Sequence, residues 1–321
     1  MNQNFFAEIA ELGILPVISI PSADLADGLS DALCAGNVKA IEITLRSDCA
    51  LEAIQRIRNR HPKMLLAAGT VLTPKNAEQA IHAGANCLVS PGFSESLICY
   101  CMEHGYPILP GCVSAAEIQR GMELGLRYFK FFPAESCGGL KALKLLSGPF
   151  SQCRFIPTGG MTFDNIGSYL EEPFIAACGG SYMASTADVA AGRWDLIEAN
   201  CRRAMDISLG FTLAHVGLNA ADAGEAESAA RRMALLFRLP LKIGNSSIFA
   251  GTAVEHMKMP FRGTHGHIGF YTRSVTRALA FYHNNGIPVC EDSIRYDAKG
   301  EMQSFYLAEE IGGFAVHVVK K

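Results

Sequence analysis

Gly125-Leu126-Arg127-Tyr128-Phe129-Lys130-Phe131-Phe132-Pro133-Ala134-Glu135 sets a single lysine in the middle of an apolar, aromatic run. Bounded by a glycine and a proline, the run reads as a short buried strand. Alternation puts Tyr128, Lys130 and Phe132 on one face and Phe129 and Phe131 on the other, so the lysine shares its side with two rings and little water. Burial disfavours the charged form of a lysine, and an amine without its extra proton can condense with a ketone. The same residues also allow a lysine that extends past the strand end toward Glu135. The flanking sequence has to decide between the two.

On both sides of this stretch, from Gly13 to about Met205, short β-rich runs alternate with amphipathic helical segments. Strands are expected at 14–20, 38–44, 64–71, 87–90, 107–111, 126–131, 153–157 and 174–177. Helices fall between them, the last near 188–204. Eight such pairs make the count of a (β/α)8 TIM barrel, whereas an open doubly wound sheet normally uses fewer strands. In a barrel the chemistry sits where strands end.

The second strand runs into Glu42-Ile43-Thr44-Leu45-Arg46-Ser47, where alternation points Glu42 and Arg46 toward the axis. They form either a self-satisfied ion pair or a carboxylate and a guanidinium available to a substrate. Strands three, four and five end at Ala68-Gly69-Thr70, Ser90-Pro91-Gly92 and Leu109-Pro110-Gly111-Cys112, all turn chemistry. Pro157-Thr158-Gly159-Gly160 and Cys178-Gly179-Gly180-Ser181 place paired glycines just after strands seven and eight, where backbone N–H groups converge on phosphates in such barrels.

Taken together in chain order, these motifs and Gly13-Ile14-Leu15-Pro16-Val17-Ile18 resemble the class I aldolases that cleave 2-keto-3-deoxy-6-phosphogluconate (KDPG) and 4-hydroxy-2-oxoglutarate (KHG). The resemblance covers residues 1 to about 205. It implies a carbon–carbon lyase in which Lys130 forms the Schiff base, Glu42 is the general acid/base, and Arg46 with Thr70 holds the pyruvate carboxylate. Pro91 and Phe132 would shape the pocket, and Gly159, Gly160 and Ser181, with Thr158 and Gly180 beside them, would take a substrate phosphate. It also implies a 2-keto acid substrate, no cofactor for the aldol reaction, and a homotrimer. A phosphosugar epimerase or decarboxylase barrel, with Lys130 as an electrostatic group, is the competing reading. Glu42 and Arg46 together with Lys130-Phe131-Phe132-Pro133 disfavour it.

After residue 206 the pattern changes. Phe211 to Leu218 opens a strand followed by a helix, Ala223 to Phe237, and Thr264 to Phe270 opens a second strand followed by Val275 to Asn284. His215-Val216-Gly217-Leu218 matches His267-Ile268-Gly269-Phe270, and each half ends in short strands, so residues 207–321 read as a smaller α+β domain of paired βαβββ modules. This part resembles the glyoxalase-like, vicinal-oxygen-chelate superfamily. The resemblance implies that His215, Glu255, His267 and His317 hold a divalent metal, with zinc, nickel, iron and manganese all open. A small-molecule-binding module, or a degenerate one used for assembly, is the alternative.

At 321 residues the chain suits two domains. A net charge of −3 with no basic block argues against nucleic acid or an anionic membrane as partner. Eleven scattered cysteines without a CxxC pair point to a reducing compartment. The opening Met1-Asn2-Gln3-Asn4-Phe5-Phe6-Ala7-Glu8 lacks a basic leader, so a cytoplasmic protein is expected.

Overall fold

The computed structural model describes residues 3–321, with side chains from Phe5 onward, so the part of the leader reading that rests on Met1 and Asn2 lies outside the described residues. The chain divides into two compact units, the first ending at Ser208 and the second spanning Leu209–Lys321. Among the described residues no helix is long and apolar enough to cross a membrane.

The strands of the first unit are β1 (Ile14–Ile18), β2 (Ala40–Thr44), β3 (Leu65–Gly69), β4 (Cys87–Val89), β5 (Ile108–Leu109), β6 (Gly111–Cys112), β7 (Tyr128–Phe131), β8 (Arg154–Pro157) and β9 (Cys178–Gly180). They pair in parallel in the orders β5-β4-β3-β2-β1-β9 and β6-β7-β8. Parallel bridges Phe155↔Ile175 and Thr158↔Gly179 carry β8 over to β9, so the sheet curls into a barrel-like ring. The helices are α1 (Gln3–Leu12), α2 (Ala26–Ala35), α3 (Ala50–Arg60), α4 (Pro74–His82), α5 (Glu95–Glu103), α6 (Ala115–Glu123), α7 (Gly139–Ser147), α8 (Ile166–Leu170), α9 (Thr186–Ala190) and α10 (Trp194–Leu209). Side-chain oxygens fix several starts: Thr73 accepts from the Asn76 N–H ahead of α4, and Ser114 with Glu117 forms a capping box at α6.

Alternation along the strands sorts the core into two layers. Phe129, Phe131 and Phe155 pack outward against Ile118 of α6, Leu143 of α7 and Ile166 of α8. Inward, Leu15, Ala40, Ala67, Cys87, Val89, Leu109 and Ile156 fill the ring, with Phe5 and Ile9 of α1 beneath them, and Phe6 stacks on Tyr128 at 4.7 Å. Two residues further along the same strands the inward positions become Glu42, Gly69 and Lys130. The charged pair Glu42 and Lys130 therefore lies one inward layer beyond the apolar filling, toward the C-terminal side of the ring.

Three local expectations are corrected. The strand expected at 107–111 breaks at Pro110, which has no N–H for the ladder, leaving β5 and β6 on either side. The eighth strand is Cys178–Gly180 rather than 174–177: Leu15 and Pro16 of β1 pair with Gly179 and Gly180, whereas Ile175 makes only a single bridge. The second glycine pair thus lies inside a strand, not after it. The helix expected near 188–204 is two helices, because Gly192 turns left-handed (φ 62°) between α9 and α10.

In the second unit β10 (Thr212–Asn219), α11 (Ala223–Phe237), β11 (Leu241–Ile243), β12 (Ser247–Ala250) and β13 (Val254–Met257) precede β14 (Gly266–Thr272), α12 (Val275–Asn284), β15 (Val289–Tyr296), β16 (Met302–Ile311) and β17 (Phe314–Lys320). Leu241–Ile243 is a strand that the sequence reading did not single out. All eight strands form one sheet, ordered β11-β12-β13-β10-β14-β17-β16-β15. β10 and β14 run antiparallel at its centre, flanked by β13 parallel to β10 and β17 parallel to β14.

Candidate active site

Lys130 and Glu42, 6% and 1% exposed, meet inside the ring: Lys130 Nζ donates to Glu42 Oε1 at 3.0 Å and Oε2 at 3.3 Å. β7 and β2 deliver them from opposite sides of the barrel, with Lys130 in register with Gly111 and Ile156, and Glu42 in register with Val17 and Ala67. The sequence alternative of a lysine reaching Glu135 is not what the structure shows: Lys130 pairs with Glu42, and Glu135 accepts the Tyr169 hydroxyl at 2.5 Å. Two buried, oppositely charged groups in direct contact can pass a proton without a water between them. The Phe132 ring centroid lies 5.4 Å from Lys130 Nζ and walls that side of the amine.

Gly69 makes this contact possible. A Cβ on it would lie 2.2 Å from Glu42 Oε1, so only glycine leaves room for the carboxylate. The sequence reading took Gly69 as turn chemistry; the signal for more was its place two residues past the inward Ala67 on the same strand.

Arg46, just beyond β2, donates from Nε to Thr70 Oγ1 at 3.2 Å. Thr70 adopts φ 59°, a left-handed conformation that costs a β-branched residue about 1–3 kcal/mol. The guanidinium and the threonine hydroxyl thus stand together at the rim, at the ends of the neighbouring strands β2 and β3. Pro91, in the loop after β4, is half-buried.

The loops after β7 and β8 are stitched together, with the Ala134 N–H donating to Thr158 O and the Glu135 N–H to Gly159 O. Thr158 is buried, and Gly159 and Gly160 are both left-handed (φ 94° and 83°). Gly180 is buried within β9, and Ser181 is exposed immediately after it. The residues singled out around the second glycine pair therefore divide between a strand and its end.

The second unit contains another convergence. His215 Nε2 lies 3.1 Å from His267 Nε2 and 3.2 Å from His317 Nε2, while Glu255 Oε2 lies 3.1 Å from His267 Nε2 and 3.5 Å from His215 Nε2. The repeat explains the geometry. His215 stands opposite Gly269 and His267 opposite Gly217 in the β10–β14 pair, and the same two glycines are in register with His317 and Glu255 on the outer strands. A Cβ on Gly217 would lie 2.1 Å from the His267 ring, and one on Gly269 would lie 2.5 Å from His317 and 2.6 Å from His215. Each His-x-Gly places one histidine and, two residues on, clears space for an imidazole from a neighbouring strand.

Burial, and then the neighbouring imidazoles, push His317 down to about 3; burial likewise lowers His215. Both rings are neutral near pH 7, with lone pairs to offer. Burial pushes Glu255 upward, but hydrogen bonds from His267 and Ser247 outweigh it and hold the carboxyl below its usual range. The ligand nitrogens of His215, His267 and His317 all lie within 4.8 Å of one another, close enough to share one metal ion, with the Glu255 carboxylate beside His267 and His215.

The family model for KDPG and KHG aldolases matches residues 6–200. The chain belongs to the KDPG and KHG aldolase family. It is 40% identical over 202 residues to the 2-dehydro-3-deoxy-phosphogluconate aldolase of Treponema pallidum, covering 63% of this chain and 96% of that protein. It is also 40% identical over 193 residues to the KHG/KDPG aldolase of Escherichia coli strain K12, covering 60% of this chain and 91% of that one. The KDPG aldolase of Legionella pneumophila, captured with pyruvate as a covalent carbinolamine, superposes with a TM-score of 0.61 at 36% identity, over 62% of this chain and 97% of that structure. These aldolase matches cover less than two thirds of the chain, and the family model stops at residue 200, before the second unit begins.

Proposed function

We propose that this chain cleaves a 4-hydroxy-2-oxo acid to pyruvate and an aldehyde through an imine on Lys130, with KDPG and KHG as its substrates. The observation that carries the reading is the buried Lys130–Glu42 contact at 3.0 Å, at the end of the barrel strands and beside the Arg46–Thr70 pair. Transfer of the ammonium proton to Glu42 frees the amine to attack the ketone carbon, giving a carbinolamine. Glu42 then returns the proton to the departing hydroxyl, water leaves, and a protonated imine remains. That iminium is the electron sink. When Glu42 takes the proton from the C4 hydroxyl, directly or through one water, the C3–C4 bond breaks, its electrons enter the enamine and the aldehyde departs. Protonation at C3 and hydrolysis release pyruvate and restore the lysine.

Arg46, a planar fork that can bind both oxygens of a carboxylate, holds the substrate's acid end, and Thr70 orients it. Pro91 and Phe132 line the pocket. Thr158, Gly159, Gly160, Gly180 and Ser181 form the far rim, where a phosphate on the aldehyde portion is accepted. The Glu135 carboxylate lies next to that rim: a Cβ on Gly160 would meet its Cγ at 2.5 Å. The Tyr169 hydroxyl occupies Glu135 Oε1, which moderates its repulsion of a phosphate. By family resemblance the working assembly is a homotrimer, which sedimentation equilibrium tests.

The decisive experiment is covalent. Incubation of the intact protein with pyruvate and borohydride should add a reduced pyruvyl group to the peptide holding Lys130, because reduction traps an imine. A protein that keeps full mass homogeneity after that treatment is not a Schiff-base aldolase.

For residues 209–321 we infer a pair of βαβββ modules of the vicinal-oxygen-chelate type holding one divalent metal on His215, Glu255, His267 and His317. The support is the repeated strand–helix–three-strand order and the reciprocal His–Gly register across the sheet centre. A metal held by three imidazoles and one carboxylate would act there as a Lewis acid toward an oxygen ligand. The chain's own part is to keep His215 and His317 neutral by burial, and Ser247 fixes the carboxylate by donating to Glu255 Oε1.

A further inference from the structure

We propose that Cys34 is a base-activated nucleophilic thiol and the site at which small electrophiles modify this protein. It lies one turn after Asp31 on α2, near the end of that helix, and faces His61, the residue that closes α3. Both helix ends lead into the N-terminal ends of β2 and β3, so the cluster is at the end of the barrel away from Lys130. Nothing in the aldol chemistry uses it.

The protonation pattern follows from the hydrogen bonds. Arg60 grips Asp31 with both prongs, Nε to Oδ1 at 2.7 Å and Nη2 to Oδ2 at 2.5 Å, and holds the carboxyl below its usual range. An ionised carboxylate only accepts, so His61 Nε2, 2.8 Å from Asp31 Oδ1, carries the ring's hydrogen. In the neutral form of the ring the lone pair is then on Nδ1, which is 3.7 Å from Cys34 Sγ. Carboxylate, imidazole and thiol therefore stand in the order that activates a cysteine, with the tautomer fixed by the carboxylate. Burial pushes the Cys34 thiol up while Lys39 draws it down, so the resting sulfur keeps its proton and its reactivity depends on His61 taking that proton. With iodoacetamide the step is balanced: the thiol proton passes to Nδ1, sulfur bonds to the methylene carbon, the C–I bond breaks and iodide leaves. Asp31 stabilises the imidazolium that forms.

Cys49 and Cys99 are half-buried as Cys34 is, and serve as internal standards. In the full-length protein under limiting iodoacetamide at pH 7.5, peptide mapping should show Cys34 alkylated at least about tenfold faster than either. His61→Phe, which keeps a ring but removes both nitrogens, should bring Cys34 to within about twofold of the standards. Asp31→Asn, which removes the anion that fixes the tautomer, should slow Cys34 at least about threefold. Intact aldol cleavage in each variant verifies folding, since none of these residues is at the Lys130 site. If His61→Phe does not fold, Asp31→Asn alone decides. A Cys34 rate equal to or below the standards, or unchanged in the variants that fold, overturns the proposal and leaves the cluster a helix-to-helix tie.

Discussion

At Gly69 a single missing methyl decides whether Glu42 can reach Lys130. Gly69→Ala should keep the barrel, because β3 pairs through its backbone, but push the carboxylate off the amine. Displacements of that size cost about a hundredfold in rate. Steady-state cleavage kinetics with circular dichroism will check this, and a variant near wild-type rate would remove Glu42 from the proton-transfer role. Lys130→Arg should abolish cleavage with the fold intact, since a guanidinium keeps the charge facing Glu42 yet cannot form the imine. Lys130→Ala is a different test: it leaves the 1%-exposed carboxylate without its partner, and about 3–5 kcal/mol of stability should go with it. Chemical denaturation of both variants, followed at the first unit's unfolding transition, separates lost chemistry from lost charge balance.

Elements position what single residues perform. The loops leaving β7 and β8 are tied by hydrogen bonds from Ala134 and Glu135 to Thr158 and Gly159, and β9 brings Ser181 up at its end. If this rim holds a phosphate, Ser181→Asp should raise KM for KDPG well beyond its effect on KHG, by more than about 1 kcal/mol in kcat/KM, through charge repulsion. Equal losses on both substrates would give the rim another role. In the second unit the strands β10 and β14 exchange space, each supplying a histidine and a glycine. Gly217→Ala should displace the His267 ring, and Gly269→Ala those of His215 and His317, with metal content falling in both while the sheet persists. Elemental analysis of each purified variant tests this.

At the scale of the whole molecule, the two units are expected to be chemically independent in one respect. The electron sink in the aldol reaction is an iminium, so stripping the protein with a chelator should leave pyruvate release unchanged. If the second unit holds the proposed metal, stripping should also lower that unit's unfolding temperature, because only the folded state brings the donors together; metal at a hundred times its Kd contributes about 2.7 kcal/mol. Metal-supplemented protein should hold about one equivalent and His215→Ala with His267→Ala almost none, as expected for one four-donor site. Less than a tenth of an equivalent in the wild type would make the second unit a module without a metal, and a chelator-sensitive aldol rate would contradict the separation.

What the sequence by itself determined was whatever periodicity and local chemistry encode. Strand alternation turned Lys130 away from Phe129 and Phe131, the β-then-helix alternation announced a barrel, and the His-x-Gly repeat announced a second kind of unit. Helices α11 and α12 span the residues expected of them, because their caps, Asp222 and Ser274, are read within one turn. What the tertiary structure decided was every matter that depends on a neighbouring strand. Which carboxylate meets Lys130 is set by residues 88 positions apart, and no local pattern separates Glu42 from Glu135. The eighth strand shifted to Cys178–Gly180 because pairing with Leu15 and Pro16 outweighs the β-preference of the preceding apolar run. Gly69, Gly217 and Gly269 look alike in sequence to any turn glycine. Their reason for being glycine is a side chain that approaches from another strand, and that distance exists only once the sheets have closed.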